Sequence, residues 1–154
     1  YFKFIRDNRN VDRHFWTLNQ ETAQYYAWSG LAFERVCFDH VEQIKAALGI
    51  MGVISNVYSW RSKTDSSDGR GAQIDMLIDR RDQVITLCEM KYSKTRFAID
   101  ADYDEVLMNK VERFRTETGT KKSVQIALVT TVGLVQNEYY DDVQNIIEMN
   151  NLFE

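Results

Sequence analysis

Hydrophobic and polar positions alternate along this chain with two periods, one helical and one extended. From Ser29 to Leu48 the spacing is helical. At about 100° per residue, Phe33, Cys37, Val41, Ile44 and Leu48 share one face, with Phe38 at its edge. Arg35, Asp39, Glu42 and Gln43 point away from it. Ser29 can cap this helix and Gly49 can end it. Glu34 falls inside the apolar arc, among Leu31, Cys37, Phe38 and Val41. It either reaches water from the edge of the stripe or serves a polar site, because an unpaired buried carboxylate is costly.

Three stretches then alternate with the period of a strand. In Val53–Trp60, Val53, Ser55, Val57 and Ser59 oppose Ile54, Asn56, Tyr58 and Trp60. In Gln73–Asp79, Gln73, Asp75, Leu77 and Asp79 oppose Ile74, Met76 and Ile78. In Val84–Tyr92, Ile85, Leu87, Glu89 and Lys91 oppose Val84, Thr86, Cys88 and Met90. Arg80–Gln83 has the polar make-up of a hairpin loop. A second helix spans Asp102–Thr118, with Gly119 as its stop and Tyr103, Leu107, Lys110 and Phe114 as its stripe. Val124–Thr131 is apolar enough for a central strand, so the strand–helix–strand order from 84 to 131 predicts a parallel, right-handed crossover. Val143–Met149 alternates weakly, as an edge strand or a short helix. The expected fold is α/β, a mixed central sheet flanked by helices 29–48 and 102–118, in the order αβββαβ with a possible final edge strand.

Register decides what the hairpin brings together. Pairing residues whose numbers sum to 164 sets Met76 against Cys88, Leu77 against Leu87 and Ile74 against Met90. The same register sets Asp75 across from Glu89 and Gln73 across from Lys91. Apolar then meets apolar and polar meets polar. Two carboxylates facing each other are destabilising, and a divalent cation between them removes that cost. Oxygen donors of this kind suit Mg²⁺ or Mn²⁺. In this picture Glu34 is a third acid aimed at Asp75 and Glu89.

An Asp in one strand followed by Glu-x-Lys in the next resembles the core of the PD-(D/E)XK nuclease superfamily. The wider text W-S-G-L-A-F-E (28–34), G-A-Q-I-D-M-L-I-D-R (71–80), L-C-E-M-K-Y-S (87–93) and N-L-F (151–153) is similar to the C-terminal domain of a group of prokaryotic AAA-type ATPases. The likeness runs roughly from Trp16 to Phe153. It implies a restriction-endonuclease-like fold and metal-dependent hydrolysis of DNA phosphodiesters. Asp75, Glu89, Glu34 and the Met90 backbone carbonyl would hold one or two Mg²⁺ or Mn²⁺ ions. Lys91 would position or deprotonate the attacking water or stabilise the phosphorane, and Gln73 would orient substrate or water. The resemblance also implies a phosphate contact at Lys110, although a lysine can snorkel out of an apolar stripe. The polar run 61–70 reads as a solvated hairpin tip, or as a phosphate grip through Arg61, Lys63 and Arg70.

Composition narrows the classes. The 154 residues suffice for one domain with a core, and no apolar run approaches the roughly 20 residues of a membrane span. No signal peptide is recognisable. Cys37 and Cys88 sit in apolar settings and read as buried reduced thiols, in keeping with a cytoplasmic location. His14 and His40 read as structural or surface residues. A net charge of −4 does not suit a strongly basic nucleic-acid binder. The acid is unevenly placed, however: residues 126–154 carry five acidic groups and no basic one, away from the motif strands. Aromatics crowd the start (Tyr1, Phe2, Phe4, Phe15, Trp16, Tyr25, Tyr26, Trp28), where a short extended segment and a helix around Val11–Trp16 are expected. They can stack on bases or pack against the domain or a neighbouring one. Residues 1–28 are expected to connect to an ATPase module of the same chain, and 29–154 to form the nuclease-like domain. No Walker-type phosphate loop is present in the sequence. DNA is the expected partner. A catalytically inactive nucleic-acid- or partner-binding module is the competing reading, and a pure protein-interaction domain the third.

Overall fold

The computed structural model describes residues 22–63 and 71–154. The N-terminal segment around Val11–Trp16 and Arg70 lie outside the described residues. Helix α1 runs Ala23–Asp39, α2 Val41–Ala47 and α3 Ala101–Thr118. Strands β1 (Ser55–Arg61), β2 (Gln73–Arg80), β3 (Val84–Lys91), β4 (Ser123–Thr130) and β5 (Asn145–Glu148) form one sheet in the order β1-β2-β3-β4-β5. β1, β2 and β3 pair antiparallel, while β3, β4 and β5 pair parallel. The crossover through α3 therefore gives the parallel pair that the sequence order requires. The weakly alternating C-terminal segment is a strand. No described helix is long and apolar enough to cross a membrane.

The first helix differs from the expectation in two ways, so the element order among the described residues becomes ααβββαββ. It begins six residues earlier than Ser29, at Ala23, where the Thr22 hydroxyl accepts the Tyr25 N–H at 3.1 Å. Ser29 is buried inside the helix instead of capping it. The helix also breaks at His40 (φ −121°, ψ 32°). His40 Nδ1 donates to the Val36 carbonyl at 2.8 Å, satisfying one of the carbonyls a helix end exposes. Its ring meets Phe153 edge-on with centroids 4.8 Å apart. After α2 the chain turns at Gly49, whose φ of +70° is strained for a residue with a Cβ. Helix α3 stops where its sequence announces and starts one residue before the expected Asp102. Asp100 accepts the Tyr103 N–H at 2.8 Å, and Gly119 closes the helix in the left-handed region.

The sheet is covered on both faces. On one side Leu77, Ile85, Leu87, Val124, Ile126 and Leu128 pack with Leu107, Val111 and Phe114 of α3. On the other, Met76, Ile78, Cys88, Met90, Ala127 and Val129 pack with Phe33, Cys37 and Ile44 of α1 and α2. The central strands are therefore apolar on both faces, as parallel strands between helical layers must be.

The hairpin register is the one summing to 164: Met76 pairs with Cys88, Leu77 with Leu87, Ile78 with Thr86 and Asp79 with Ile85. The regular ladder stops at Met76–Cys88, one step short of Asp75 and Glu89. The cause lies on the other edge of β2. Between the Tyr58–Leu77 and Trp60–Ile74 rungs, β1 advances by two residues and β2 by three. This is a β-bulge in β2, which bends the strand and re-aims side chains. Ile74 consequently joins Leu77 in the α3-side core, whereas Met76 lies in the α1-side core. Ile74 is thus not the partner of Met90 that strict alternation predicts. Asp75 sits inside the bulge.

A candidate acidic site at the end of the hairpin

Each polar side chain at this end of the hairpin is held by an identifiable partner. At the start of β2, Arg61 Nη2 donates to Gln73 Oε1 at 2.5 Å, and Gln73 Nε2 donates to Asp75 Oδ1 at 2.6 Å. The amide thus links an edge-strand guanidinium to a half-buried carboxylate. On β3, Glu89 points toward α3. Its Oε2 accepts from Lys110 Nζ at 2.7 Å and its Oε1 from the Tyr103 hydroxyl at 3.2 Å. The Glu89 and Lys110 side chains are only 11% and 16% exposed, so this pair is screened far less than a surface one. Lys91, two residues along the same face of β3, sits 4.5 Å from the centroid of the Tyr103 ring. Phe97 meets that ring edge-on at 5.2 Å. Both cations near Glu89 are therefore engaged with α3 or its aromatic.

Glu34 enters from α1. Its carboxyl is pushed above its ordinary range, first by partial burial, then by the charges of Asp75 and Glu89, with Lys91 and Lys110 opposing. Helix, bulge and β3 thus place three carboxylates and two ammonium groups in one electrostatic neighbourhood. The Tyr103 phenol is pushed far above its ordinary range by burial, then by the Glu89 charge and hydrogen bond. It remains a donor throughout the physiological range. The Cys37 and Cys88 thiols are buried, unpaired with each other, and pushed up to about 12 by desolvation.

The candidate residues divide by place. Glu34, Asp75, Glu89, Lys91 and Lys110 share one field, with Gln73 bonded to Asp75. Met90 sends its side chain into the α1-side core, and only its backbone belongs to this end of the strand. Arg61 binds Gln73 and reaches the site through that amide. Lys63 is exposed; its backbone N–H donates to Glu117 Oε2 at 3.0 Å, at the far end of α3 from Tyr103. Arg70 lies outside the described residues. Tyr103 is the residue that pattern reading counted only as apolar. It stands seven positions before Lys110, two helical turns on the same face. The two polar members of that stripe reach the same carboxylate.

Among the described residues, no three Asp, Glu, His or Cys side chains lie together closely enough to share one metal ion. Carboxylate oxygens are the donor type that Mg²⁺ and Mn²⁺ prefer, and the charges of Asp75 and Glu89 raise the proton affinity of Glu34. Beside the site, Gly71, Ala72, Asp102, Glu105, Val106, Asn109 and Lys110 line a cleft of about 620 Å³. No protein-family model matches the chain, and no curated protein matches it significantly.

Proposed function

We propose that this domain is a PD-(D/E)XK-type nuclease module of a larger ATPase chain, hydrolysing DNA phosphodiesters with a divalent metal. One observation supports the reading most: the Glu34 carboxyl, on a different element and roughly forty to sixty residues away in sequence, feels the charges of Asp75, Glu89 and Lys91. Asp75, Glu89, Glu34 and the Met90 carbonyl are the groups that would hold Mg²⁺ or Mn²⁺. When bound, such an ion lowers the pKa of coordinated water and offsets charge on a phosphate. Lys91 supplies a donor and a positive charge where negative charge develops on phosphate oxygens. Gln73 fixes Asp75, and Tyr103 orients Glu89. In this reading the mixed sheet with helices on both faces is a restriction-endonuclease-like core.

The second reading, a binding module without catalysis, has two observations in its favour. Both Glu89 oxygens already accept hydrogen bonds, and the neighbouring cleft is lined by Asp102 and Glu105, which repel a polyanion. Supercoiled and branched DNA incubated with Mn²⁺ separates the two. Wild type should cut, Asp75→Ala should not, and Lys91→Ala should cut on the order of 10²-fold more slowly, as loss of a transition-state donor does. Equal background cleavage by all three proteins rejects the nuclease.

A further inference from the structure

Of the two lysines placed around Glu89, on its own strand and on α3, it is the α3 one that bonds it, and this is informative. Lys91 lies on the same strand face, yet it turns to the Tyr103 ring. Lys110, from α3, takes the carboxylate at 2.7 Å, and the Tyr103 hydroxyl takes the other oxygen. Asp75 meanwhile is held by the Gln73 amide. Asp75 and Glu89 are thus each held by a donor, and among the described residues no three acids converge on a common point.

We propose that Lys110 is a built-in counter-cation that occupies Glu89 in place of a divalent ion and must be displaced before the metal can bind. This rests on the metal-site reading above and adds a competitor to it. Removing one partner of a poorly exposed ion pair leaves the other charge uncompensated. Here that uncompensated charge is a metal ligand, so the same loss that weakens the apo protein strengthens its grip on a cation. Ammonium and divalent ion cannot both sit against one carboxylate without strong mutual repulsion. Tyr103 is neutral and imposes no such repulsion, so its hydroxyl can stay on Glu89 while Lys110 leaves. Lys110 is accordingly a positioning residue that sets the metal concentration at which the site fills.

Calorimetric titration of the full chain with Mn²⁺ alone tests this. Lys110→Met should bind Mn²⁺ roughly tenfold more tightly than wild type, in line with removal of a close charge in a partly screened site. Lys110→Arg, which keeps the charge, should stay near wild type. Lys110→Gln keeps an N–H donor without the charge; it should behave like Lys110→Met and serves if the methionine variant does not fold. Equal or weaker Mn²⁺ binding by the neutral variants, with Asp75→Ala losing binding, overturns the competition alone. If Asp75→Ala binds Mn²⁺ as well as wild type, the metal-site reading itself falls, and the competition with it.

Discussion

The Gln73 amide donates to Asp75 Oδ1 at 2.6 Å while accepting from Arg61, so the carboxylate at the bulge is steered by a residue two positions before it. In a regular strand residues i and i+2 share a face, and here the bulge preserves that neighbourhood while Ile74 turns into the core. Gln73 is itself exposed, so its role is orientation more than packing.

Replacing Gln73 with Leu should therefore weaken Mn²⁺ binding by roughly 10-fold, the scale typical of partners that orient a ligand. Thermal stability should change by no more than about 1 kcal/mol, as for other exposed polar pairs. Calorimetry and a thermal melt on the same variant check both halves. A large loss of stability with unchanged metal binding would make Gln73 a structural residue only.

Glu34 gives a pH prediction whose sign follows from its environment. Its folded-state pKa is raised above 4.5 by burial and by Asp75 and Glu89, so the folded protein holds this proton more tightly than the unfolded chain. The ionised carboxyl therefore destabilises the metal-free fold above the raised pKa, and that penalty disappears below about 4.5. Glu34→Gln should be more stable than wild type at neutral pH, by up to about 1 kcal/mol given partial exposure. The two stability curves should converge in acid. Parallel curves across pH would show that Glu34 does not feel the other acids.

Metal should stabilise the domain by mass action. Mn²⁺ at about 100 times its dissociation constant adds roughly 2.7 kcal/mol if it binds only the native state. Asp75→Ala should remove that gain without abolishing the fold, since Asp75 is half-buried at a strand end. Melting with and without Mn²⁺, wild type against variant, reads this out directly.

The two cysteines should be inert while the protein is folded. Their thiols are buried and pushed up to about 12, so almost no thiolate exists at neutral pH. A thiol-reactive chromophore should label neither Cys37 nor Cys88 until denaturant unfolds the chain. Rapid labelling under native conditions would contradict the packing of the α1-side core.

What could be read in the sequence was local. Alternation in 73–79 and 84–92 located the hairpin, and its hydrophobic pairing set the register from Met76–Cys88 to Asp79–Ile85. Gly49 and Gly119 marked helix ends because a positive φ is nearly a glycine property. The bulge was not legible, because it arises from how β2 meets β1, and no residue within β2 announces it. The break at His40 was hidden for a similar reason. Val41 and Ile44 continue the apolar stripe across it, so periodicity alone reads one helix where there are two. Tyr103 escaped notice because an aromatic in a stripe looks like core until the carboxylate above its hydroxyl is known.

Strand β3 is where the sheet changes from antiparallel to parallel, and this bears on how the domain assembles in time. Its contacts with β2 close a loop of only a few residues, a cheap entropic step. Its contacts with β4 require the whole α3 segment to be traversed first, so they are slower to form. Asp75 and Glu89 lie on the two strands of the local hairpin, just beyond its last rung, whereas Tyr103 and Lys110 belong to the crossover helix. Asp75 therefore has its donor, Gln73, within its own strand, whereas the donors of Glu89 come only with the long-range crossover, so the two carboxylates depend on different parts of the topology.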